Sequence, residues 1–397
     1  MQKWTMTALG LFLGCALTVA ASAREAGPLL VEKQSFTIED FETQGGAVIP
    51  EMTLGWEAYG ALDETKDNAI LVTHFFSGTS HAAGRYSADD PAPGYWDAII
   101  GPGKPLDTDR FYVISVDTPV NLNAHDPDVI TTGPASINPE TGEPWGMDFP
   151  ILTIRDFVET QRSLLDSLGI ETLHAVMGAS MGALQAYEWA ASYPERVDRL
   201  VPVIGSGWAD AGLIAWLNIW AAPILLDPNW QDGAYYDGEP PLRGLAEALK
   251  IVTFHAQHPK WANATFGRAW ADENADPAAS FEHLFQVEAV LDAAGAARAA
   301  VSDANHFLYL AKANQLFYTG HAEGLYDGLM AIEAPTLIVH SNDDLVFPGN
   351  AVRETASLIR AGGAPVEVVE LAGMRGHLDG VLNIDQAADQ ISAFLAE

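Results

Sequence analysis

Residues 173–193 decide how this chain reads: Leu173-His174-Ala175-Val176-Met177, then Gly178-Ala179-Ser180-Met181-Gly182, then a helical run from Ala183 to Tyr193. The first five residues form a short, mostly apolar stretch of the kind that makes a buried strand. A serine at a sharp strand-to-helix turn is pushed out beyond the sheet edge. A glycine on either side lets strand and helix approach closely enough for that turn. Gly-x-Ser-x-Gly by itself recurs by chance and reads equally well as a loop with a structural serine. With a strand before it and a helix after it, Ser180 becomes the candidate nucleophile.

Working outward, the same strand texture recurs on both sides. Upstream lie Ala69-Ile70-Leu71-Val72-Thr73 and Phe111-Tyr112-Val113-Ile114-Ser115-Val116. Downstream lie Leu200-Val201-Pro202-Val203-Ile204, Thr336-Leu337-Ile338-Val339 and Val366-Glu367-Val368-Val369. Continuous apolar strands separated by helical stretches such as Ile154 to Leu168 predict a mostly parallel α/β sheet covered on both faces. Phe36 to Leu62 instead alternates apolar and polar residues, as paired, half-buried antiparallel strands do. Between Trp208 and Gly328 the strand texture disappears in favour of Ala, Trp, Leu and helix-compatible polar residues. This predicts a helical cap, residues 208–328, inserted into a core of residues 24–207 and 329–397. Leu213 to Leu226 is apolar apart from Asn218 and is interrupted by Pro223. It is short for a membrane span and reads as a cap helix lining an acyl pocket or a subunit interface.

Serine is a weak nucleophile at neutral pH. It needs a base, and the base needs a carboxylate to hold its tautomer and stabilise its charged form. Both occur downstream in the order Ser, Asp, His. Asp344 lies just past the strand Thr336 to Val339, at a strand's carboxyl end facing the same crevice as the serine. Asp343 is its rival, with turn chemistry as its alternative role. His377 sits in the glycine-flanked loop Gly373-Met374-Arg375-Gly376-His377-Leu378-Asp379-Gly380, after the last strand. For an oxyanion, the expected donors are the backbone N–H groups of Met181, the residue after the nucleophile, and of Phe76, in the loop His74-Phe75-Phe76-Ser77-Gly78.

Composition sets the limits. The chain has 397 residues, 48% hydrophobic and 10% aromatic, enough for a sizeable core. A formal net charge of −33 repels nucleic-acid phosphates and anionic lipid heads. Lys3, the apolar run Ala8 to Ala20 and the small residues Ala21-Ser22-Ala23 read as a secretory signal over residues 1–23. The expectation is therefore an exported, periplasmic or secreted protein, not held in a membrane once the signal is cleaved. Cys15, the single cysteine, would leave with that signal, so no disulfide framework is expected. His255-Ala256-Gln257-His258 lacks the Glu of a zinc-protease arrangement and there is no Walker phosphate loop, so no cofactor or metal is expected.

Longer strings resemble the homoserine O-acetyltransferase family of the α/β-hydrolase superfamily over most of the chain after residue 23. They include Trp96-Asp97-Ala98-Ile99-Ile100-Gly101-Pro102-Gly103-Lys104-Pro105-Leu106-Asp107-Thr108-Asp109-Arg110-Phe111 and Thr132-Gly133-Pro134-Ala135-Ser136-Ile137-Asn138-Pro139. Others are Phe149-Pro150-Ile151-Leu152-Thr153-Ile154-Arg155-Asp156, Asp227-Pro228-Asn229-Trp230-Gln231-Asp232-Gly233, Asp303-Ala304-Asn305 and Asp344-Leu345-Val346-Phe347-Pro348. The last supports Asp344 over Asp343. The resemblance implies an α/β-hydrolase fold with a mostly parallel eight-stranded sheet, a helical lid over a Ser-His-Asp triad, and often a homodimer formed through that lid.

Three departures concern the substrate. Gly178-Ala179 stands where the family usually has Gly-Gly. Thr118-Pro119-Val120-Asn121-Leu122-Asn123-Ala124-His125-Asp126 replaces a glycine-rich, cysteine-containing loop. Gly205-Ser206-Gly207-Trp208-Ala209-Asp210 holds no arginine where the family places one for the homoserine carboxylate. Together with export, these departures lead to the expectation of a serine carboxylic ester hydrolase acting on a small-molecule ester through an acyl-serine intermediate. O-acyl transfer by the same triad is the alternative, and a non-catalytic binding protein on the same fold is the third.

Overall fold

The computed structural model describes residues 29–321 and 323–397. The signal-like residues 1–23, with Lys3 and Cys15, lie outside the described residues.

The alternating segment forms an antiparallel pair, β1 (Gln34–Glu42) and β2 (Val48–Tyr59), registered Phe36 to Leu54 and Ile38 to Met52. The apolar runs supply the other strands: β3 (Ala69–Thr73), β4 (Tyr112–Val116), β5 (Ala175–Ala179), β6 (Leu200–Val203), β7 (Thr336–Ser341) and β8 (Val366–Leu371). They join in one eight-stranded sheet ordered β1-β2-β4-β3-β5-β6-β7-β8. It is antiparallel from β1 to β4 and parallel beyond, so the expected mostly parallel sheet is present. The strand before the serine runs two residues later than the apolar pattern suggested. Gly178 and Ala179 still pair with Pro202 and Val203, which carries the sheet up to the turn itself.

Alternate side chains feed two cores. Leu71, Ile114, Val176 and Leu200 pack on one face, and Ile70, Val72, Val113, Met177 and Val201 on the other. Both faces are covered by helices, which is why these strands carry apolar side chains on both faces. Helix α1 (Ile154–Leu168) has the predicted bounds. Thr153 caps its first turn in a reciprocal box with Asp156, and Gly169 ends it in the left-handed region at φ 70°. Helix α2 (Met181–Ser192) leaves directly from Ser180.

Between β6 and β7 the described residues form helices and no strand of the sheet. The longer ones are α3 (Ala211–Leu226), α4 (Leu242–His255), α5 (Pro259–Thr265), α6 (Gln286–Ala299) and α7 (Ala304–Gln315). Pro223 does not interrupt α3. It sits in the last turn, where its missing N–H removes one bond and little helix remains to be disrupted. Asp210 is the N-cap of α3, accepting from the Leu213 N–H at 2.8 Å. Among the described residues no helix is long and apolar enough to cross a membrane.

Candidate active site

The turn between β5 and α2 is sterically forced. Ser180 has φ 57° and ψ −118°, a conformation that a non-glycine residue holds only where its surroundings impose it. A methyl group on Gly178 would lie 2.0 Å from Thr73 Oγ1 and 2.4 Å from Gly182 O, and one on Gly182 would lie 2.1 Å from Thr73 O. The two glycines are therefore the price of packing the turn against the end of β3. Thr73 Oγ1 also donates to Gly182 O at 2.8 Å, tying the strand end to the start of the helix. Ala179 is fully buried in β5, so alanine fits where the family usually has glycine.

The predicted partners converge on the serine. His377 Nε2 lies 2.8 Å from Ser180 Oγ, and His377 Nδ1 lies 2.7 Å from Asp344 Oδ2. Asp344 Oδ1 accepts the N–H groups of Val346 (2.7 Å) and Phe347 (3.0 Å), so the carboxylate is held before it meets the histidine. With the carboxylate accepting at Nδ1, the proton sits there and Nε2 is the basic face turned to the serine. All three residues are buried. Asp343 is elsewhere: it faces outward and pairs with Lys260, which pulls its carboxyl below the usual range.

The loop carrying His377 is positioned by a residue the sequence reading passed over. Asp379 is fully buried and accepts the N–H groups of Arg375 (3.2 Å) and Gly376 (2.9 Å) and the Asn383 amide (2.6 Å). Gly376 has φ 67°, and a Cβ there would stand 2.6 Å from Asp343 O. Its sequence signal, an Asp three residues after a glycine in a loop, is too common to be singled out.

Phe76 and Met181 flank the serine, and among the described residues neither backbone N–H donates to a protein acceptor outside its own helix. The loop bearing Phe76 is braced from below. His74 is buried; its Nε2 accepts the Thr118 N–H at 3.1 Å, so its Nδ1 carries the proton and donates to Phe75 O at 2.8 Å. Burial lowers the His74 pKa and keeps the ring neutral, as this tautomer requires. Asn121 and Asn123, from the segment that departs from the family pattern, donate to Gly78 O (3.1 Å) and Ser77 O (3.2 Å). That segment has a structural task, supporting the loop beside the nucleophile.

A cavity of about 230 Å³ opens on Ser180 and His377, walled by Phe76 from the core and by Trp220, Val252 and Arg298 from the cap. Phe76 packs edge-on against Trp220 and Phe307, with ring centroids 5.6 and 5.3 Å apart. The cap is also tied to the histidine loop through its backbone: His258 N–H donates to Arg375 O (3.0 Å) and Leu378 N–H to Ala256 O (3.2 Å). Arg298 corrects a conclusion drawn from the sequence. The segment after β6 holds no arginine, as read, yet the cavity is not without a cation, because α6 delivers one from about ninety positions further along the chain. No local motif marks it.

A crevice at the carboxyl edge of a mostly parallel sheet, with a serine on a strained turn, a histidine and a buried aspartate in hydrogen-bonded series, is the arrangement of the α/β-hydrolase superfamily. Comparison with known proteins agrees. The family model for the alpha/beta hydrolase fold matches residues 93–379. The homoserine O-acetyltransferase of Symbiobacterium thermophilum is 41% identical over 89% of this chain and 91% of its own length. The structure of an esterase designated E22 superposes with a TM-score of 0.88 at 48% identity, covering 92% of this chain and 100% of that one. That of homoserine O-acetyltransferase from Bacillus anthracis superposes with a TM-score of 0.88 at 34% identity, covering 93% and 98%. The chain belongs to the homoserine O-acetyltransferase family of α/β hydrolases.

Proposed function

We propose that the chain is an acyl-transferring serine enzyme in which Ser180 carries the acyl group. The observation behind this is the unbroken series Ser180 Oγ, His377, Asp344, with contacts of 2.8 and 2.7 Å. His377 takes the Ser180 proton as Oγ attacks the donor's carbonyl carbon. Asp344 stabilises the imidazolium, and the Phe76 and Met181 amides receive the oxyanion. The leaving group departs with the proton from His377, and the acyl-serine is then attacked by an acceptor activated in the same way.

The acceptor separates two readings. The curated relatives are homoserine O-acetyltransferases, and they support a hydroxyl acceptor, hence acyl transfer, over the exported hydrolase placed first from the sequence. Arg298 in the cavity removes the main objection to that reading. Hydrolysis is the second reading, favoured by the likeness to esterase E22. An assay of the protein and its Ser180→Ala variant on an aryl acetate, and on acetyl-CoA with homoserine, tests both. Ser180-dependent acetylation of homoserine establishes transfer. Ser180-dependent ester hydrolysis without acetylation establishes the second reading. No Ser180-dependent turnover of either kind refutes both.

Two further parts of the proposal concern the whole molecule. Export through residues 1–23 predicts a protein recovered from the periplasm or medium that starts near Arg24, which N-terminal sequencing checks. Pairing of two copies through the cap is supported by the exposed apolar residues Ile214, Trp216, Ile219 and Phe254, and light scattering on the purified protein measures it.

A further inference from the structure

We propose that Arg298 is a specificity-determining residue of the Ser180 site, its guanidinium pairing with a carboxylate that the substrate carries. The inference rests on the acyl-serine reading above. Arg298 lines the same cavity as Ser180 and His377. Its Nη1 donates to two neutral acceptors of α4, Leu249 O (3.3 Å) and Thr253 Oγ1 (2.6 Å), while its Nη2 is buried and has no hydrogen-bond partner among the described residues. Among those residues no carboxylate lies within 4.0 Å of it.

Among the described arginines only Arg155, Arg162 and Arg196 have a carboxylate within 4.0 Å, so the missing counter-ion does not by itself single out Arg298. What singles it out is Nη2, the one arginine nitrogen among the described residues that is buried without a hydrogen-bond partner. A tie between α4 and α6 would need only the Nη1 bonds and could be made by a neutral side chain. A half-satisfied guanidinium with a buried, unpartnered Nη2 at the wall of a small cavity is instead suited to a planar anion arriving with the ligand, which it can grip with two parallel N–H donors. Burial also pulls the arginine down to about 10, still fully charged at neutral pH, which shows how little compensating charge surrounds it. The carboxylate can belong to either half of the substrate: the acyl half, as in a monoester of a dicarboxylic acid, or the alcohol half, as in an ester of a hydroxy amino acid.

The test measures kcat/KM for two matched pairs, monoethyl succinate against ethyl butyrate and O-acetylhomoserine against propyl acetate, in the protein, Arg298→Gln and Arg298→Lys. The expected result is a preference for the charged member of one pair, which names the half that bears the carboxylate. In Arg298→Gln that preference falls at least about 10-fold, chiefly through KM, and Arg298→Lys restores part of it. If Arg298→Gln does not fold, as circular dichroism shows, Arg298→Lys decides alone, because it keeps a donor toward Leu249 and Thr253 but loses the fork. A protein with no preference in either pair, or variants with an unchanged preference, overturns the role of Arg298 and leaves the acyl-serine reading standing. Turnover of all four esters that survives Ser180→Ala sinks the reading beneath it.

Discussion

The crevice over Ser180 has two walls that differ in how they are made. The sheet-side wall consists of chain ends: β3 running into the Phe76 loop, β5 into the serine turn, β7 into Asp344 and β8 into the His377 loop. Backbone groups do much of the positioning there. Two amides hold Asp344, two hold the Asp379 side chain beneath His377, and the glycines at 178 and 182 let β3 and α2 touch. The cap-side wall is assembled from side chains of separate helices, Trp220 from α3, Val252 from α4 and Arg298 from α6. The Ser180, His377 and Asp344 series stands on the first wall, and the second supplies the side chains that face it. A backbone-built wall tolerates little change, whereas a wall of side chains can be altered while the chemistry beneath it persists.

The strongest attempt to break this division is Ser180→Ala, expected to lower kcat by about 10⁶-fold, because a nucleophile, base and orienting acid act as a unit. Active-site titration and steady-state kinetics check it. Next is the pair of adjacent aspartates. Asp344→Asn is expected to cost about 10⁴-fold in kcat through the wrong histidine tautomer, while Asp343→Asn, which loses the surface pairing with Lys260 and a 4.0 Å contact with His258, leaves kcat within about twofold. Equal effects of the two would overturn the assignment. Asp379→Ala sharpens the comparison further. It strands the Arg375 and Gly376 amides and is expected to cost about 1–3 kcal/mol in chemical denaturation, with a fall in kcat as the His377 loop loosens.

The smallest expected effect lies on the cap side and depends on pH. His255 stacks on Trp216, with ring centroids 4.0 Å apart, and burial, with the nearby His377 adding to it, pushes its pKa down to about 4. A histidine whose folded-state pKa is depressed binds fewer protons when folded. Its contribution is complete above about pH 6.5 and is lost as the pH falls toward 4. His74 and His306, also lowered by burial, act in the same direction. Urea midpoints should therefore decline between pH 6.5 and 4, and His255→Phe should reduce that slope without removing it. A slope unchanged in His255→Phe would show that His255 does not titrate with unfolding.

The sheet-side wall was legible in the sequence because each of its parts is a local event. An apolar run ends, a glycine or a turn residue follows, and the reactive side chain sits at a fixed offset, so Ser180 and His377 could be named from spacing and order, and Asp344 once the family resemblance separated it from Asp343. Phe76 and Met181 were read as oxyanion donors from the same offsets, a role that stays a proposal. The bracing of the Phe76 loop could not be read, since His74, Thr118 and Asn121 meet only when β3 and β4 lie side by side.

By itself, the sequence determined the α/β sheet, the position of the nucleophile and the order of its partners, because hydrophobic period and turn chemistry act over a few residues. Only the tertiary structure decided what faces the nucleophile from above. Arg298 is one polar residue on a helix with no motif around it. Its significance lies in lining the Ser180 cavity with one buried nitrogen, Nη2, that has no hydrogen-bond partner among the described residues, a property of packing between segments far apart in the chain.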